Sequence, residues 1–131
     1  MTLQTFLVED SPTILSSLVP TLEELGDARV VSVAGREGDA VAWLNSNGGD
    51  WDLAVVDLFL QEGSGLGVLR ACQNRQAHQR VVVLTNYATE EIRRRCLALG
   101  ANVVFDKSTE LDELFDYCAT LNASGIHSRE Q

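Results

Sequence analysis

A doubly wound α/β domain on a parallel sheet is what the sequence predicts, from three observations. Five short runs rich in β-branched residues alternate with segments of helical periodicity over about 120 residues. The run RVVVLTN (80–86) is continuously apolar rather than alternating, as expected of a strand covered on both faces. The whole chain of 131 residues suits one domain with one core.

The elements follow in order. QTFLV (4–8) reads as the first strand, and SPTILSSLVPTLEELG then carries helix signals, with Ser11 as N-cap, Pro12 at the first helical position and Gly26 at the end. Pro20 falls inside this helix and should remove one backbone bond and bend it. ARVVSVA (28–34) is the second strand, followed by a short helix with Val41, Trp43 and Leu44 on one face, closed by Gly48 and Gly49. DLAVVD (52–57) is the third strand, and beyond a loop with Gly63 and Gly65 lies a helix holding Leu66, Leu69 and Cys72. After the fourth strand comes an amphipathic helix with Ile92, Cys96 and Leu99 inward, stopped by Gly100. NVVFDK (102–107) is the fifth strand, and STELDELFDYCATL is a helix with Ser108 as cap that buries Leu111, Leu114, Phe115, Cys118 and Leu121. This places a domain over residues 1–123 and a C-terminal tail over 124–131.

Composition narrows the function classes. The 45% apolar content is ordinary for a globular chain, and no stretch approaches the roughly 18 unbroken apolar residues of a membrane helix. The first residues have neither a basic flank nor a small-residue cleavage site, so a cytoplasmic protein without membrane attachment is expected. Cys72, Cys96 and Cys118 are odd in number, widely spaced and outside any CxxC pair, which suits buried thiols rather than a zinc site. A formal net charge of −9 on so small a surface repels nucleic acid and disfavours direct DNA binding.

In open parallel sheets the ligand site lies beyond the carboxyl ends of the strands. Reading only those ends gives Glu9 and Asp10, then Asp57, Thr85 and Lys107. Taken singly, each has a plain structural explanation: an acid after a strand commonly forms a turn or caps a helix, Thr85 is a β-branched strand residue, and Lys107 is a solvated or paired cation. Jointly they point to chemistry. Three carboxylates in a partly dry crevice repel one another unless a cation is present. All-oxygen ligation favours a hard ion, and Mg²⁺ suits an edge site open to a phosphorylated partner, with Glu9, Asp10 and Asp57 as side-chain ligands and the backbone carbonyl of Phe59 completing the set. Asp57 then reads as a nucleophile toward phosphorus, with Lys107 pairing one phosphoryl oxygen and Thr85 holding another.

At this point the sequence resembles the receiver domain of two-component response regulators. The resemblance is carried by FLVEDS, LAVVDLFLQEGSGLGVL, VVVLTNYA and GANVVFDKS, which fall in the family's order and cover roughly residues 3–121. It implies a flavodoxin-like five-stranded sheet of order 2-1-3-4-5 with five helices. It also implies phosphorylation of Asp57, Mg²⁺ held by Glu9 and Asp10, sensing by Thr85 and phosphoryl binding by Lys107. The donor it implies is a phosphohistidine on a sensor histidine kinase or a histidine phosphotransfer protein. The readout would be a downstream protein, or a second copy of the chain, at the face of the fourth helix, fifth strand and fifth helix.

Several positions depart from the family pattern. Val104 stands where the family usually has an aromatic residue, and Phe105 beside it should point to the opposite face. Ser108 replaces the proline that often follows the lysine. Phe59 and Tyr87 occupy the two positions that in the family shape how water reaches the acyl phosphate, so their bulk should shield it. Arg93, Arg94 and Arg95 read as a solvated face or as a docking patch for an acidic partner. With no effector segment after residue 123, a stand-alone receiver that binds a partner or relays phosphate is expected. Two other readings stay open. A Mg²⁺-dependent phosphatase of the haloacid dehalogenase type would need a second aspartate where this chain has Phe59, and a receiver-like interaction module would not be phosphorylated.

Overall fold

The computed structural model describes residues 2–124. Its elements are β1 (Leu3–Val8), α1 (Pro12–Leu25), β2 (Ala28–Ala34), α2 (Glu37–Ser46), β3 (Leu53–Val56), α3 (Gly65–Ala71), β4 (Arg80–Thr85), α4 (Glu90–Ala98), β5 (Val103–Asp106) and α5 (Leu111–Ser124). All neighbouring strands pair in parallel, in the order β2-β1-β3-β4-β5. This is the flavodoxin-like doubly wound sheet, with the order reversing between β1 and β3. Of the tail expected over 124–131, Ser124 is the last residue of α5 and the remainder lies outside the described residues.

Strand alternation sorts the core into two layers. Phe6, Val8, Ala54, Val56, Val81, Val83 and Val104 face α2, α3 and α4, where they meet Ala40, Leu44, Val68, Leu69 and Cys96. Leu3, Leu7, Leu53, Val55, Val82, Leu84 and Phe105 face the other way, onto Leu18 and Leu22 of α1 and Leu114, Phe115, Cys118 and Leu121 of α5. Val104 and Phe105 therefore lie on opposite faces, as alternation predicts. All three cysteines are buried and free. Burial pushes the Cys72 thiol up to about 11 and the Cys118 thiol up to about 12, so neither is a thiolate at neutral pH.

Helix ends follow local chemistry, and two differ from expectation. Ser11 caps α1 as predicted, its Oγ accepting from Ile14 N at 3.3 Å. The same helix continues through Pro20 to Leu25; Pro20 is exposed, so water reaches the carbonyl that loses its donor. Asn47, rather than Gly48 or Gly49, closes α2, with its Nδ2 and its backbone N–H both donating to Trp43 O at 2.9 Å. Trp43 itself stacks on Phe6, with ring centroids 4.2 Å apart.

Ser108 does not cap α5. Asp106 at the end of β5 captures the amides of Ser108 at 2.7 Å and Thr109 at 3.2 Å through one carboxylate oxygen, making a turn that delays the helix to Leu111. Ser108 Oγ instead donates to Asn86 Oδ1 at 3.1 Å. None of the described helices is long and apolar enough to cross a membrane.

Candidate functional site

The sheet order brings the expected residues to one edge. β1 and β3 are neighbours, with Val8 opposite Val56 in register, so Glu9 and Asp10 leave one strand beside Asp57 leaving the other. A hydrogen bond from Asp57 N to Val8 O at 2.9 Å extends the pairing into the site. β4 and β5 likewise deliver Thr85 and Lys107, joined through Lys107 N donating to Thr85 O at 2.8 Å.

Glu9, Asp10 and Asp57 each present a carboxylate oxygen, and these lie within 4.8 Å of one another. Lys107 reaches across the cluster, its Nζ 2.8 Å from Glu9 Oε1 and 3.4 Å from Asp57 Oδ2. All three of these side chains are at most 10% exposed, so the pairs are screened far less than surface ion pairs. Glu9 Oε2 also accepts from Ser11 N at 3.1 Å, tying the site to the start of α1. Asp10, at the rim, accepts from Gln61 N at 2.6 Å and thereby holds the β3–α3 loop.

Burial raises the Asp57 pKa above the ordinary carboxylate value; the Lys107 charge opposes this, the Glu9 charge adds to it, and the Phe59 amide and a Lys107 hydrogen bond oppose it again. The donor set is all oxygen, and three carboxylates against one ammonium leave two negative charges, which is what a divalent hard cation neutralises. The residues fit such an ion.

Around this centre, the Phe59 amide lies 3.4 Å from Asp57 Oδ1, while its ring is 53% exposed and meets Tyr87 edge to face, with centroids 4.9 Å apart. Thr85 is fully buried at the same edge, its Oγ1 accepting from Tyr87 N at 3.1 Å. The hydroxyl is thus tied to the β4–α4 loop.

Three residues that matter here escaped the sequence reading. Arg93, read as part of a solvated face or of a docking patch, donates to Ala88 O at 3.1 Å, Val104 O at 2.7 Å and Glu110 Oε1 at 2.8 Å, bridging α4 to the loop that carries Lys107. Arg94 and Arg95 are exposed as expected. Asp106 shapes the Lys107 turn described above. Glu37, the first residue of α2, accepts from Ser64 N at 2.7 Å and so reaches the loop that follows Asp57. The sequence signal for Glu37 is the glycine alternation in GSGLG (63–67), which has meaning only once its neighbour in space is known.

Comparison with known proteins gives the family and the fold. The sequence matches the response regulator receiver domain over residues 5–119. It is 30% identical over 108 residues to the photosynthetic apparatus regulatory protein RegA of Cereibacter sphaeroides, covering 82% of this chain and 56% of that protein. It is 31% identical over 108 residues to the acid tolerance regulatory protein ActR of Rhizobium meliloti, covering 82% and 54%. The chain thus spans about half the length of the curated relatives it matches. Among solved structures, a two-component response regulator of the LuxR family from an Aurantimonas species superimposes with a TM-score of 0.80 at 22% identity, covering 94% of this chain and 87% of that one. The BeF3-activated DrrB receiver domain does so with a TM-score of 0.77 at 21% identity, covering 94% and 99%.

Proposed function

The chain belongs to the response regulator receiver family, and on that premise we propose that Asp57 is its phosphoacceptor. The observation that carries this reading is Lys107 lying within reach of both Glu9 and Asp57 beside the carboxylate of Asp10. A carboxylate oxygen of Asp57 attacks phosphorus as the phosphorus–nitrogen bond of a phosphohistidine breaks, and the imidazole departs with the bonding pair. The donor is a sensor histidine kinase or a histidine phosphotransfer protein. Glu9, Asp10, Asp57 and the Phe59 carbonyl would hold Mg²⁺, which when bound neutralises charge on the transferring group.

The chain's own residues do the rest. Lys107, already poised between two carboxylates, pairs a phosphoryl oxygen and offsets the added charge. Thr85 turns its hydroxyl toward the phosphoryl group and releases the Tyr87 amide, which frees the β4–α4 loop. The event adds about 1.5 to 2 negative charges at the edge. Its readout is a partner protein, or a second copy of the chain, at the face of α4, β5 and α5; the net charge of −9 disfavours direct DNA contact by this domain. The domain extends through α5 to Ser124, assists its own phosphorylation without being a turnover enzyme, and works in the cytoplasm.

The reading is tested by mixing the protein with a histidine phosphotransfer protein labelled at its phosphohistidine, with and without Mg²⁺. Mg²⁺-dependent transfer of label to this chain is expected. Retention of label on several such donors, with the protein folded, contradicts it. Steady phosphate release from generic phosphomonoesters would favour the dehalogenase-type phosphatase, which Phe59 argues against.

A further inference from the structure

The segment GSGLG sets glycines at 63, 65 and 67, directly after the loop that leaves Asp57. Backbone freedom accounts only for Gly63, whose φ is +84°. Gly65 opens α3 and Gly67 lies in its first turn, where glycine is a poorer helix former than alanine, so something else must exclude a side chain. At Gly65 that something is backbone: an added Cβ would collide with the Asp57 carbonyl oxygen and stand 2.7 Å from Leu58 Cα. At Gly63 and Gly67 it is one residue from another element, since a Cβ at either position would collide with the side chain of Glu37.

The two glycines form a socket, and Glu37 fills it. From the first turn of α2 its Oε1 accepts from Ser64 N at 2.7 Å, and its own N–H donates to Glu62 O at 3.1 Å. Ser64 in turn caps α3, its Oγ accepting from Leu66 N at 3.1 Å. The loop from Asp57 to α3 is therefore pinned at two amides: Gln61 N by Asp10 and Ser64 N by Glu37. These anchors are not equivalent. Asp10 belongs to the carboxylate cluster and is shared with any cation there, whereas Glu37 stands outside it. A third contact joins the loop to the Asp57 segment: Gly65 N donates to Leu58 O at 2.9 Å, and Gly65 lies so close to the Asp57 carbonyl that no side chain fits between them.

We infer that Glu37 is a positioning residue for the phosphoacceptor site: seated between Gly63 and Gly67, its carboxylate fixes the β3–α3 loop so that Asp57 and the Phe59 carbonyl keep their spacing when Asp10 is drawn to the metal. The inference rests on the function proposed above. Loss of a group bonded directly to a metal ligand weakens metal affinity on the order of tenfold or more, and Glu37, which acts one step further out through the Ser64 amide, should fall at the lower end of that range.

The test uses Glu37→Ala, Glu37→Gln, Gly67→Ala and the double variant Glu37→Ala/Gly67→Ala. Phosphorylation by a small acyl phosphate is followed by intact mass across a Mg²⁺ titration, and exchange of the Ser64 amide is followed without Mg²⁺. Glu37→Ala is expected to raise the half-saturating Mg²⁺ concentration on the order of tenfold and to speed Ser64 exchange. Glu37→Gln, which keeps the accepting oxygen, should restore both. Gly67→Ala should reproduce the Glu37→Ala defect without touching Glu37, because its methyl evicts the carboxylate, and the double variant should be no worse than either. Parental Mg²⁺ dependence in folded Glu37→Ala, or strictly additive losses in the double variant, would overturn the inference. A parent that takes up no phosphoryl group overturns the functional reading instead, while the exchange data and the coupling between Glu37 and Gly67 still decide the socket.

Discussion

Asp57 titrates against its surroundings. Burial is the largest influence and raises its pKa, so the folded state holds the proton more tightly than the unfolded chain does. Stability is then lost as pH rises from about 4 through the folded-state pKa. Asp57→Asn should therefore melt higher than the parent at neutral pH, by about 4 °C for each kcal/mol recovered, with the gap closing below about pH 4. Thermal melts at the two pH values check this. Lys107 is the opposite case: Lys107→Ala leaves Glu9 and Asp57 buried without their cation and should cost about 3 kcal/mol in urea unfolding. Millimolar Mg²⁺ should recover much of that loss, since ligand at a hundredfold excess over its Kd contributes about 2.7 kcal/mol. Phe59 meets Tyr87 edge to face beside the proposed phosphoacceptor, so Phe59→Asn should shorten phosphoryl lifetime several-fold, and an unchanged lifetime would discard a shielding role for the pair.

At the scale of elements, the site depends on close approach and on a bridge. Gly65→Ala places a methyl against backbone atoms that cannot yield, and should destabilise by about 1–3 kcal/mol in denaturant titration despite the better helix propensity of alanine. Arg93 is the bridge. Its hydrogen bond is the main reason the Glu110 carboxyl titrates below the ordinary value, with the Asp106 amide second. That contribution is present above the unfolded-state pKa and fades as pH falls through the folded one. In Arg93→Ala the Glu110 carboxyl should titrate higher than in the parent by NMR, still lowered by the Asp106 amide, and Asp106 N should exchange faster. Strands and most helices were legible because apolar periodicity and caps are local: Ser11 and Pro12 announce α1 from their own segment. Helix ends were less so, because the competitor for a cap is often a few residues away. Asp106 outranks Ser108 for the turn amides, and Asn47 outranks two glycines at the end of α2.

For the whole molecule, a parallel sheet of order β2-β1-β3-β4-β5 explains why residues as far apart as Glu9 and Lys107 share one hydrogen bond of 2.8 Å. The cluster of Glu9, Asp10, Asp57 and Lys107 was legible in sequence because strand ends in such a sheet share an edge. Glu37 and Arg93 were not, since each acts across elements that only the fold brings together. Val104 faces the α2–α3–α4 layer without an aromatic ring, and Arg93 of α4 donates to its carbonyl at 2.7 Å, a side-chain link between α4 and β5. On the function proposed above, this edge accepts a phosphoryl group on one carboxylate, that of Asp57. Intact mass after incubation with Mg²⁺ and a small acyl phosphate tests it most directly. A single phosphoryl adduct on the parent, absent from Asp57→Asn and from Mg²⁺-free samples, is the predicted result; a folded parent without the adduct, or an equal adduct on Asp57→Asn, would contradict it.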